Sequence, residues 1–340
     1  MKILVTGGAG YIGSHTVVEL YNSGHEAVII DNFSNSTEIA LQGLKKILKK
    51  DIPFYEKDCL DIESIREVFE QHKIDGVIHY AALKAVGESK ERPLDYYENN
   101  ILGLINILRL MDEYNVNNLI FSSSACVYGV PEELPVTEET SRADTESPYG
   151  NTKKISEDII SDVAKVSNLK AVMLRYFNPI GAHPSGLIGE LPMGKPNNLV
   201  PYITQSAAGI RGPLTIFGNN FDTPDGYQVR DFIHIMDLAG AHVKALDYLE
   251  KQETGFSNIF NLGTGKGVSV MELINAFQKV SDGSLEYTIG EPRMGDIDKI
   301  WADATKAEKI LGWKAELTLE DALRDAWNWQ LELQKQQVDK

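Results

Sequence analysis

Hydrophobic residues in the first half of the chain fall in short, nearly continuous runs that alternate with longer amphipathic stretches. The runs are rich in β-branched residues and predict buried strands: KILVT, AVIID, PFYEKD, DGVIHYAA, NLIFSSS and KAVMLRYF. Stretches such as IGSHTVVELYNSG, IESIREVFEQH and LDYYENNILGLINILRLMDEY lie between them and predict helices. Strands that are buried on both faces and joined by helices are typical of a parallel sheet with right-handed crossovers. The pattern therefore predicts an α/β fold with a doubly wound, Rossmann-like sheet.

The composition and the lengths of the predicted elements change after residue 177. NPIGAHPSGLIGELPMGKPNNLVP is rich in Gly, Pro and Asn, as is typical of a long loop that covers a ligand. Shorter strand-like runs follow, namely LTIFG, NIFNLG and LEYTIG, together with two helical patterns. We predict a sheet domain at 1–176 and a smaller mixed α/β domain at 177–340, with some later segments returning to the first domain.

The composition narrows the range of partners. The chain has 340 residues and a formal net charge of −16, which disfavours binding to nucleic acid or to an anionic membrane. Cys59 and Cys126 have no metal-ligand spacing, and we expect no metal site. The N-terminal MKILVTGGAG has too few apolar residues for a signal-peptide core. We therefore expect a soluble protein in the reducing cytoplasm.

A glycine-rich loop follows the first predicted strand. In VTGGAGYIGSH, Gly7 permits a tight turn, Gly10 lets the main chain approach a pyrophosphate, and Gly13 lets the helix pack closely on the strand. Asp31 ends the second strand, where a carboxylate can bind the adenosine ribose and would repel a 2′-phosphate. The pattern favours NAD over NADP. The alternatives are a plain strand–helix turn and a turn Asp at a strand end.

Polar residues follow successive strands of the predicted sheet. These residues are Asp31, Asp58, Lys84, Ser124 and Asn178. Because the carboxyl ends of parallel strands share one edge, we expect the residues to line one crevice there. Any one of them alone could be an ordinary turn residue.

The heptapeptide SPYGNTK places Tyr149 and Lys153 one helical turn apart, on the same helix face. Ser147 can cap this helix, and Pro148 suits its first turn. A surface pair of Tyr and Lys would give the same spacing.

A tyrosine with a pKa near ~10 is a weak base at neutral pH, and lowering that pKa by roughly three units takes about 4 kcal/mol. An ammonium group, a helix N-terminus and a positively charged nicotinamide ring would all act in that direction. Ser124 could hydrogen-bond the same substrate oxygen. Tyr80 and Lys84 share the spacing of Tyr149 and Lys153. We attribute that match to chance, because Tyr80 lies inside a predicted strand.

With these features the chain resembles the extended short-chain dehydrogenase/reductases, and within them the UDP-galactose (UDP-glucose) 4-epimerase family. The resemblance runs over nearly the whole chain and rests on TGGAGYIG, LKAVGES, SSSACVYG, SPYGNTK, LRYFNPIGAHPSG, PNNLVPYI, IFGNNFDTPDG, VRDFIHIMDLA, FNLGTG and WADATKA. It implies that Tyr149 is the catalytic base, Lys153 its activator and a ligand of the nicotinamide ribose, and Ser124 a hydrogen-bonding partner.

The resemblance also implies two sets of binding residues, with domain 1–176 holding NAD and domain 177–340 holding the UDP-sugar. The NAD set is Gly7, Gly10, Tyr11, Ile12, Gly13, Asp31, Asn32, Asn35, Asp58, Cys59, Tyr80, Lys84, Asn99, Ser124, Tyr149, Lys153 and Phe177. The substrate set is Lys84, Ser124, Tyr149, Asn178, Asn198, Leu199, Thr215, Phe217, Arg230, Arg293, Asp296 and Ile300. Arg230 and Arg293 suit a diphosphate, because a guanidinium binds phosphate through a fork of donors. Each arginine alone is more often a surface ion-pair partner.

Three positions depart from the usual family pattern. Cys59 and Tyr80 stand where other residues are common, and packing against the cofactor should tolerate both. Ile300 stands where a tyrosine goes with exclusion of N-acetylated sugars and a small residue with their acceptance. Isoleucine falls between, so activity on UDP-N-acetylhexosamines stays open.

The implied reaction is a transient oxidation. Tyr149 takes the proton of the sugar 4-hydroxyl while hydride moves to NAD, and the 4-keto sugar turns over and regains the hydride on its other face. A 4,6-dehydratase would need a carboxyl pair after Ser124, where this chain has Ala125 and Cys126. A net dehydrogenase and a catalytically silent NAD-binding regulator are further alternatives. The family resemblance also implies a homodimer, with helices around 92–114 and 150–167 at the interface.

Overall fold

The computed structural model describes residues 1–142, 145–293 and 296–338. The last two residues of the predicted second domain lie outside these ranges. The strands are β1 (Lys2–Thr6), β2 (Glu26–Asp31), β3 (Phe54–Glu56), β4 (Gly76–His79), β5 (Asn118–Ser124), β6 (Lys170–Tyr176), β7 (Asn178–Ile180), β8 (Leu214–Phe217), β9 (Val229–Arg230), β10 (Phe232–His234), β11 (Phe256–Leu262), β12 (Val268–Ser269), β13 (Tyr287–Gly290) and β14 (Lys299–Ile300). The α-helices are α1 (Tyr11–Asn22), α2 (Glu38–Leu48), α3 (Ile62–Gln71), α4 (Val86–Glu91), α5 (Pro93–Tyr97), α6 (Gly103–Glu113), α7 (Pro148–Val166), α8 (Leu199–Ala207), α9 (Ile235–Glu250), α10 (Val270–Ser281), α11 (Thr305–Leu311) and α12 (Leu319–Val338).

The central sheet has seven strands in the order β11-β6-β5-β4-β1-β2-β3. Every neighbouring pair in it is parallel. The chain leaves β1 towards β2 on one side and later returns to β4 on the other, so the strand order reverses between β1 and β4. This architecture confirms the predicted doubly wound α/β fold, and the reversal is the point where such sheets open a ligand crevice.

Both faces of the sheet are buried, as the continuous apolar runs predicted. Ile3 and Val5 of β1 face a core that includes side chains of α1 and α9, whereas Leu4 faces a core built with α3, α6 and α7. Alternate residues of one strand therefore serve two different cores, because successive side chains of a strand point to opposite faces.

Several predicted elements have different limits in the structure. The fourth strand ends at His79, so the prediction that Tyr80 lies inside it is wrong; Tyr80 follows the strand. The third strand ends at Glu56, short of Asp58. The single helix predicted over 94–114 is divided into α5, a π-helical turn at Glu98–Leu102, and α6. Such turns occur mostly as local bulges within α-helices, frequently at functional sites.

The second half of the chain contributes to two cores. β11 pairs with β6 at the edge of the central sheet, and α9 packs against α1. Another apolar cluster joins side chains of α8, β8, α10 and α12. The predicted division between residues 176 and 177 stays a prediction. None of the helices in the described ranges is long and apolar enough to cross a lipid bilayer.

Candidate active site

The glycine loop joins β1 to α1 at the point where the strand order reverses. Gly7 has a φ of +69°, and a Cβ there would lie 2.9 Å from the main-chain nitrogen of Ala81, in the loop after β4. At Gly13 a Cβ would lie 2.4 Å from the carbonyl oxygen of Gly7. Gly10 is the N-cap of α1. This bare main chain at a helix N-terminus fits a dinucleotide pyrophosphate, since free N–H groups and close approach are both available.

Two side chains at the start of α1 frame this loop. The hydroxyl of Tyr11 donates a 2.7 Å hydrogen bond to the carbonyl oxygen of Gly181, in the loop that follows β7. Burial raises the pKa of Tyr11 well above its usual range. Ile12 packs against the core shared by the sheet, α1 and α9. The start of α1 is thus tied to the second half of the chain.

Asp31 lies at the end of β2 and is 8% exposed. Its carboxylate accepts hydrogen bonds from the main-chain nitrogens of Ala9 (3.1 Å) and Phe33 (3.0 Å) and from the hydroxyl of Ser36 (2.7 Å). These bonds fix the carboxylate beside the glycine loop, and its role as a ribose ligand stays a prediction.

The other residues predicted at the adenosine end lie beside Asp31. Asn32 and Asn35 are exposed on the loop after β2, and the amide of Asn32 donates a 2.9 Å bond to Asp58. Cys59 is buried, and burial raises the pKa of its thiol to about 12, with the nearby carboxylates adding to the effect. Cys59 is therefore a packing residue in its thiol form at neutral pH.

The loop after β4 carries Tyr80 and Lys84. The hydroxyl of Tyr80 lies 2.7 Å from that of Thr16 on α1. Lys84 is half-exposed, and its Nζ lies 3.5 Å from a carboxylate oxygen of Glu190. Asn99 lies on the π-helical turn and donates a 2.9 Å bond to the side-chain oxygen of Asn100.

Ser124 and α7 bring the three predicted catalytic residues together. As predicted, Ser147 caps α7, accepting a bond from the nitrogen of Gly150 (3.2 Å), and Pro148 occupies the first turn. Lys153 Nζ donates a 2.6 Å bond to the carbonyl of Ser122, two residues before Ser124 at the end of β5. It lies 6.0 Å from the centre of the Tyr149 ring.

The electrostatics of this group differ from the expectation for Tyr149. Burial, and next Cys126, raise the pKa of Tyr149, whereas a hydrogen bond with Ser124 lowers it. Burial lowers the pKa of Lys153 to about 8, against the opposing influence of Cys126 and Glu157. The side chains alone therefore do not produce the lowered tyrosine pKa that the sequence argument required.

The two predicted arginines converge beyond the catalytic group. Arg293 forms a paired contact with Asp296 (3.0 and 3.1 Å), and its guanidinium carbon lies 5.1 Å from the centre of the Phe217 ring. Arg230 donates to the carbonyl of Ile297 (2.8 Å). Burial lowers the pKa of Arg230 to about 10, and among the charges near it Asp296 raises and Arg293 lowers that value. The structure thus brings the two predicted arginines together with the carboxylates of Asp296 and Asp298.

A buried apolar cluster adjoins both the segment that follows Ser124 and the strand that carries Arg230. Phe177 and Ile300 belong to one buried cluster with Ala125, and Ile300 pairs with Arg230 across β14 and β9. Cys126 is half-buried and close enough to Lys153 and Arg230 for both cations to lower the pKa of its thiol, which burial raises. Through Ala125 and Ile300 this cluster connects the end of β5 with the strand that pairs with Arg230.

The remaining predicted substrate residues occupy loop and helix ends. Asn178 begins β7, and its nitrogen donates to the carbonyl of Asp231 (2.9 Å). Asn198 precedes α8 and bonds Glu190, whereas Leu199 is the first residue of that helix. Thr215 lies on β8, on the same strand face as Phe217. Thr215 and Phe217 thus lie together on β8. Asn198 and Lys84 lie on two other elements and both contact Glu190.

Sequence reasoning missed buried polar residues that hold these elements. Asn100 bonds the main chain of Leu83 through both ends of its amide (2.8 and 3.0 Å) and so fixes the residue before Lys84. The carboxylate of Asp231 accepts main-chain hydrogen bonds from Thr264, Gly265 and Ala302, beside Arg230. Their only signal is a polar residue next to apolar neighbours, which does not reveal a partner far along the chain.

Glu157 and Arg175 form a further buried support that the sequence did not reveal. Both side chains are almost fully buried, and they contact each other at 2.8 and 2.9 Å. Glu157 also accepts a 2.5 Å bond from the hydroxyl of Ser123. Because Glu157 lies one turn after Lys153 and Ser123 precedes Ser124, the pair joins the two elements that carry the predicted catalytic residues.

Comparison with known proteins identifies the family of this chain. Residues 3–263 match the profile of the NAD dependent epimerase/dehydratase family. The chain belongs to this family. It is similar to the UDP-glucose 4-epimerase of Bacillus subtilis (strain 168), with 52% identity over 97% of each chain, and to that of Drosophila melanogaster, with 51% identity over 96% of each.

A solved structure extends the comparison to three dimensions. UDP-glucose 4-epimerase from Bifidobacterium longum, in complex with NAD+ and UDP, is 46% identical, covers 98% of both chains and has a TM-score of 0.94. These findings confirm the family resemblance and the prediction of an isomerase, and the family description agrees with NAD as cofactor. The roles assigned to individual residues stay predictions.

Proposed function

We propose that the protein is a UDP-glucose 4-epimerase, which interconverts UDP-galactose and UDP-glucose with a tightly held NAD. One observation carries the proposal: Tyr149, Lys153 and Ser124 meet at the carboxyl edge of the sheet, on the side where Arg230 and Arg293 converge. The close likeness to UDP-glucose 4-epimerases along almost the whole chain supports the choice of substrate.

In this proposal Tyr149 removes the proton from the 4-hydroxyl of the sugar and later returns it. Ser124, whose side chain lowers the pKa of Tyr149, would also hold the reacting oxygen. Lys153 keeps its proton at neutral pH, because its pKa of about 8 still lies above 7. The residues of the glycine loop and Asp31 would hold NAD, which would supply a reversible acceptor for the hydride of carbon 4.

The state of Tyr149 depends on the charges around it. Since burial raises its pKa in the protein alone, we propose that the positively charged nicotinamide ring of bound NAD would lower it. The ammonium of Lys153, held by the carbonyl of Ser122, stays beside the tyrosine ring and assists. Tyr149 would then act as a base only when oxidised NAD is bound beside it.

Residues in the second half of the chain would bind the substrate. Arg230 and Arg293 would bind the diphosphate, and Asp296 keeps the guanidinium of Arg293 in place by its paired contact. Arg293 and Phe217 lie together, so the same cluster can hold the nucleotide end. A firm hold on UDP would let the sugar itself turn over between the two hydride transfers.

Dehydration after the same oxidation is less consistent with the site. Ala125 is packed in the apolar cluster, and burial raises the pKa of the Cys126 thiol. Neither residue can replace the carboxyl pair that elimination of water requires. We therefore favour epimerisation over dehydration.

The direct experiment is to incubate the purified protein with UDP-galactose, adding no NAD, and to measure UDP-glucose. We expect conversion, no accumulation of NADH, and loss of at least about a thousandfold in kcat for Tyr149→Phe, in line with the largest contributions of a general base. Tyr287→Phe, on exposed β13, is the matched control and should keep full activity. Steady release of NADH or a 4-keto-6-deoxy product would refute the proposal.

We also propose slow activity on UDP-N-acetylhexosamines, governed by Ile300. Ile300 is 5% exposed, belongs to the same buried cluster as Phe177 and pairs with Arg230 across β14 and β9. Replacement by tyrosine would force a larger ring towards the sugar, whereas alanine would open space. Conversion of UDP-N-acetylgalactosamine should therefore fall in Ile300→Tyr and rise in Ile300→Ala, each relative to UDP-galactose. Equal ratios in the wild type and both variants would contradict this assignment.

The protein is further proposed to form a homodimer through α5, the π-helical turn, α6 and α7. Leu94 is 79% exposed, Leu102 38% and Val166 87%, which is a high exposure for apolar side chains on these helices. Sedimentation should give a dimer that Leu102→Glu dissociates. Ile310→Glu, at a similarly exposed apolar position on α11, should leave it intact. A monomeric wild type would refute the assembly.

The cytoplasm is the proposed location. Both cysteines are free thiols, which suits a reducing compartment. Cell fractionation with an antibody against the protein tests this, and recovery in the membrane pellet would contradict it.

A further inference from the structure

Glu190 lies in the loop between β7 and α8 and contacts two residues that the sequence predicted as ligand-binding. Its Oε1 accepts a 2.6 Å hydrogen bond from the amide of Asn198 and lies 3.5 Å from Nζ of Lys84. The Glu190 side chain is only 12% exposed, whereas that of Lys84 is 47% exposed. One nearly buried carboxylate thus joins the loop after β4 to the start of α8.

Asn198 is turned towards Glu190 at the expense of a local bond. It is the N-cap of α8, a position where asparagine commonly bonds its own helix, yet its side chain makes no capping bond. A carboxylate only accepts hydrogen bonds, so the amide must present its NH2 group to Glu190. The carbonyl oxygen of the Asn198 amide then points the other way and can accept a donor from a ligand.

Lys84 is held from two sides. Asn100 fixes the main chain of Leu83, the residue before it, and Glu190 attracts its ammonium group. Without the carboxylate, the long side chain of a half-exposed lysine would keep most of its rotamer freedom. Glu190 therefore sets where the charge of Lys84 lies.

The main chain around Glu190 is itself firmly held. Its carbonyl accepts a 3.0 Å bond from the indole nitrogen of Trp329 on α12. Trp329 lies so close to Gly189 that a Cβ there would come within 2.4 Å of the ring. Gly43 of α2 similarly lies against Leu187, with 2.3 Å between a built Cβ and the Leu187 carbonyl oxygen. A carboxylate on so firmly held a main chain can fix the positions of the two side chains that it contacts.

We infer that Glu190 is a positioning residue that aligns Lys84 and Asn198 for the nucleotide-sugar. It touches no reacting atom; it acts through the two side chains that it holds. The inference rests on the proposed function for the identity of the ligand. It concerns ligand binding, however, and can be tested by binding alone.

The test compares Glu190→Gln and Glu190→Ala with Glu26→Gln in the full-length protein carrying its own cofactor. Glu26 pairs with Lys2 at 3.4 Å, at the amino end of the sheet, and so provides the same chemical change at a matched ion pair far from the crevice. The measurements are Kd for UDP by calorimetry, KM and kcat with UDP-galactose, and the thermal unfolding midpoint.

We expect Glu190→Gln to raise Kd and KM about tenfold, equivalent to about 1.4 kcal/mol at 25 °C, with kcat changed less than about threefold. Glu190→Ala should bind UDP more weakly still, because the glutamine of Glu190→Gln keeps a carbonyl oxygen that can accept the hydrogen bond from Asn198, whereas alanine has none. Glu26→Gln should match the wild type. A Glu190→Gln protein that binds UDP as the wild type does, or one that loses thermal stability alone, would overturn the inference. If the wild type binds UDP but does not convert UDP-galactose, the proposed function fails while the binding comparison still decides the role of Glu190.

Discussion

Replacing Gly13 by alanine is a sharp test of the glycine loop. A Cβ at residue 13 would lie 2.4 Å from the carbonyl oxygen of Gly7 and 2.7 Å from the Cα of Gly8, whereas real Cβ contacts essentially never fall under 3.0 Å. Both neighbours are main-chain atoms, and Gly7 is tied to Ile30 by a 2.7 Å bond. The loop must therefore shift by at least about 0.6 Å, the difference between 3.0 and 2.4 Å.

The expected cost follows from two opposing effects. Overpacking costs about 1–3 kcal/mol, and alanine in a helix recovers up to about 1 kcal/mol relative to glycine. We expect a net loss of about 1–2 kcal/mol. Gly240, on α9, is the matched control, since nothing lies within 4 Å of a Cβ built there. Gly240→Ala should raise the free energy of unfolding by about 0.5–1 kcal/mol.

The assay is urea unfolding followed by circular dichroism at one protein concentration, together with the NAD released from each purified protein on denaturation. Gly13→Ala should unfold at lower urea and carry less NAD than the wild type, because the displaced loop no longer presents its main chain to the pyrophosphate. Gly240→Ala should keep its NAD. If Gly13→Ala matches Gly240→Ala in both measurements, the close-packing argument is refuted.

Three other predictions concern buried groups. Arg175→Met leaves the carboxylate of Glu157, 1% exposed, without its main cation and should lower the free energy of unfolding in urea by about 3–5 kcal/mol. Lys165→Met, at an exposed ion pair, should change it by less than about 1 kcal/mol. Similar losses in both variants would contradict the importance of burial. Burial lowers the pKa of His242 from 6.5 to about 4, so the unfolded chain binds a proton first as the pH falls, and stability should decline through this window by up to about 1.4 kcal/mol per pH unit. His242→Gln should make this slope shallower, whereas buried His15 and His79, whose pKa values burial lowers to about 3, keep their own share of it; an unchanged slope would refute the assignment. The thiol of Cys59, with its pKa raised to about 12, should react with iodoacetamide only after unfolding, as mass spectrometry can follow; rapid alkylation of the folded protein would argue against its burial.

The amino-acid sequence determined the features that rest on local patterns. Continuous apolar runs indicated strands buried on both faces, and the structure has that sheet. The glycine spacing indicated a tight turn, which Gly7 makes with its positive φ. The cap at Ser147 and the helix that carries Tyr149 and Lys153 also followed from neighbouring residues. Such features are readable because strand alternation, helix periodicity and turn chemistry act over a few residues.

The tertiary structure decided what depends on distant residues. The run at 256–262 has the composition of any short buried strand, and only pairing with β6 places it at the edge of the central sheet. Three features depend on segments that are far apart along the chain. They are the raised pKa of Tyr149, the proximity of Arg230 to Arg293 and the contact of Glu190 with Lys84. Burial and charge proximity are properties of packing, and no short pattern encodes them. The sequence therefore supplied the chemical groups, and the fold decided which of them face one another.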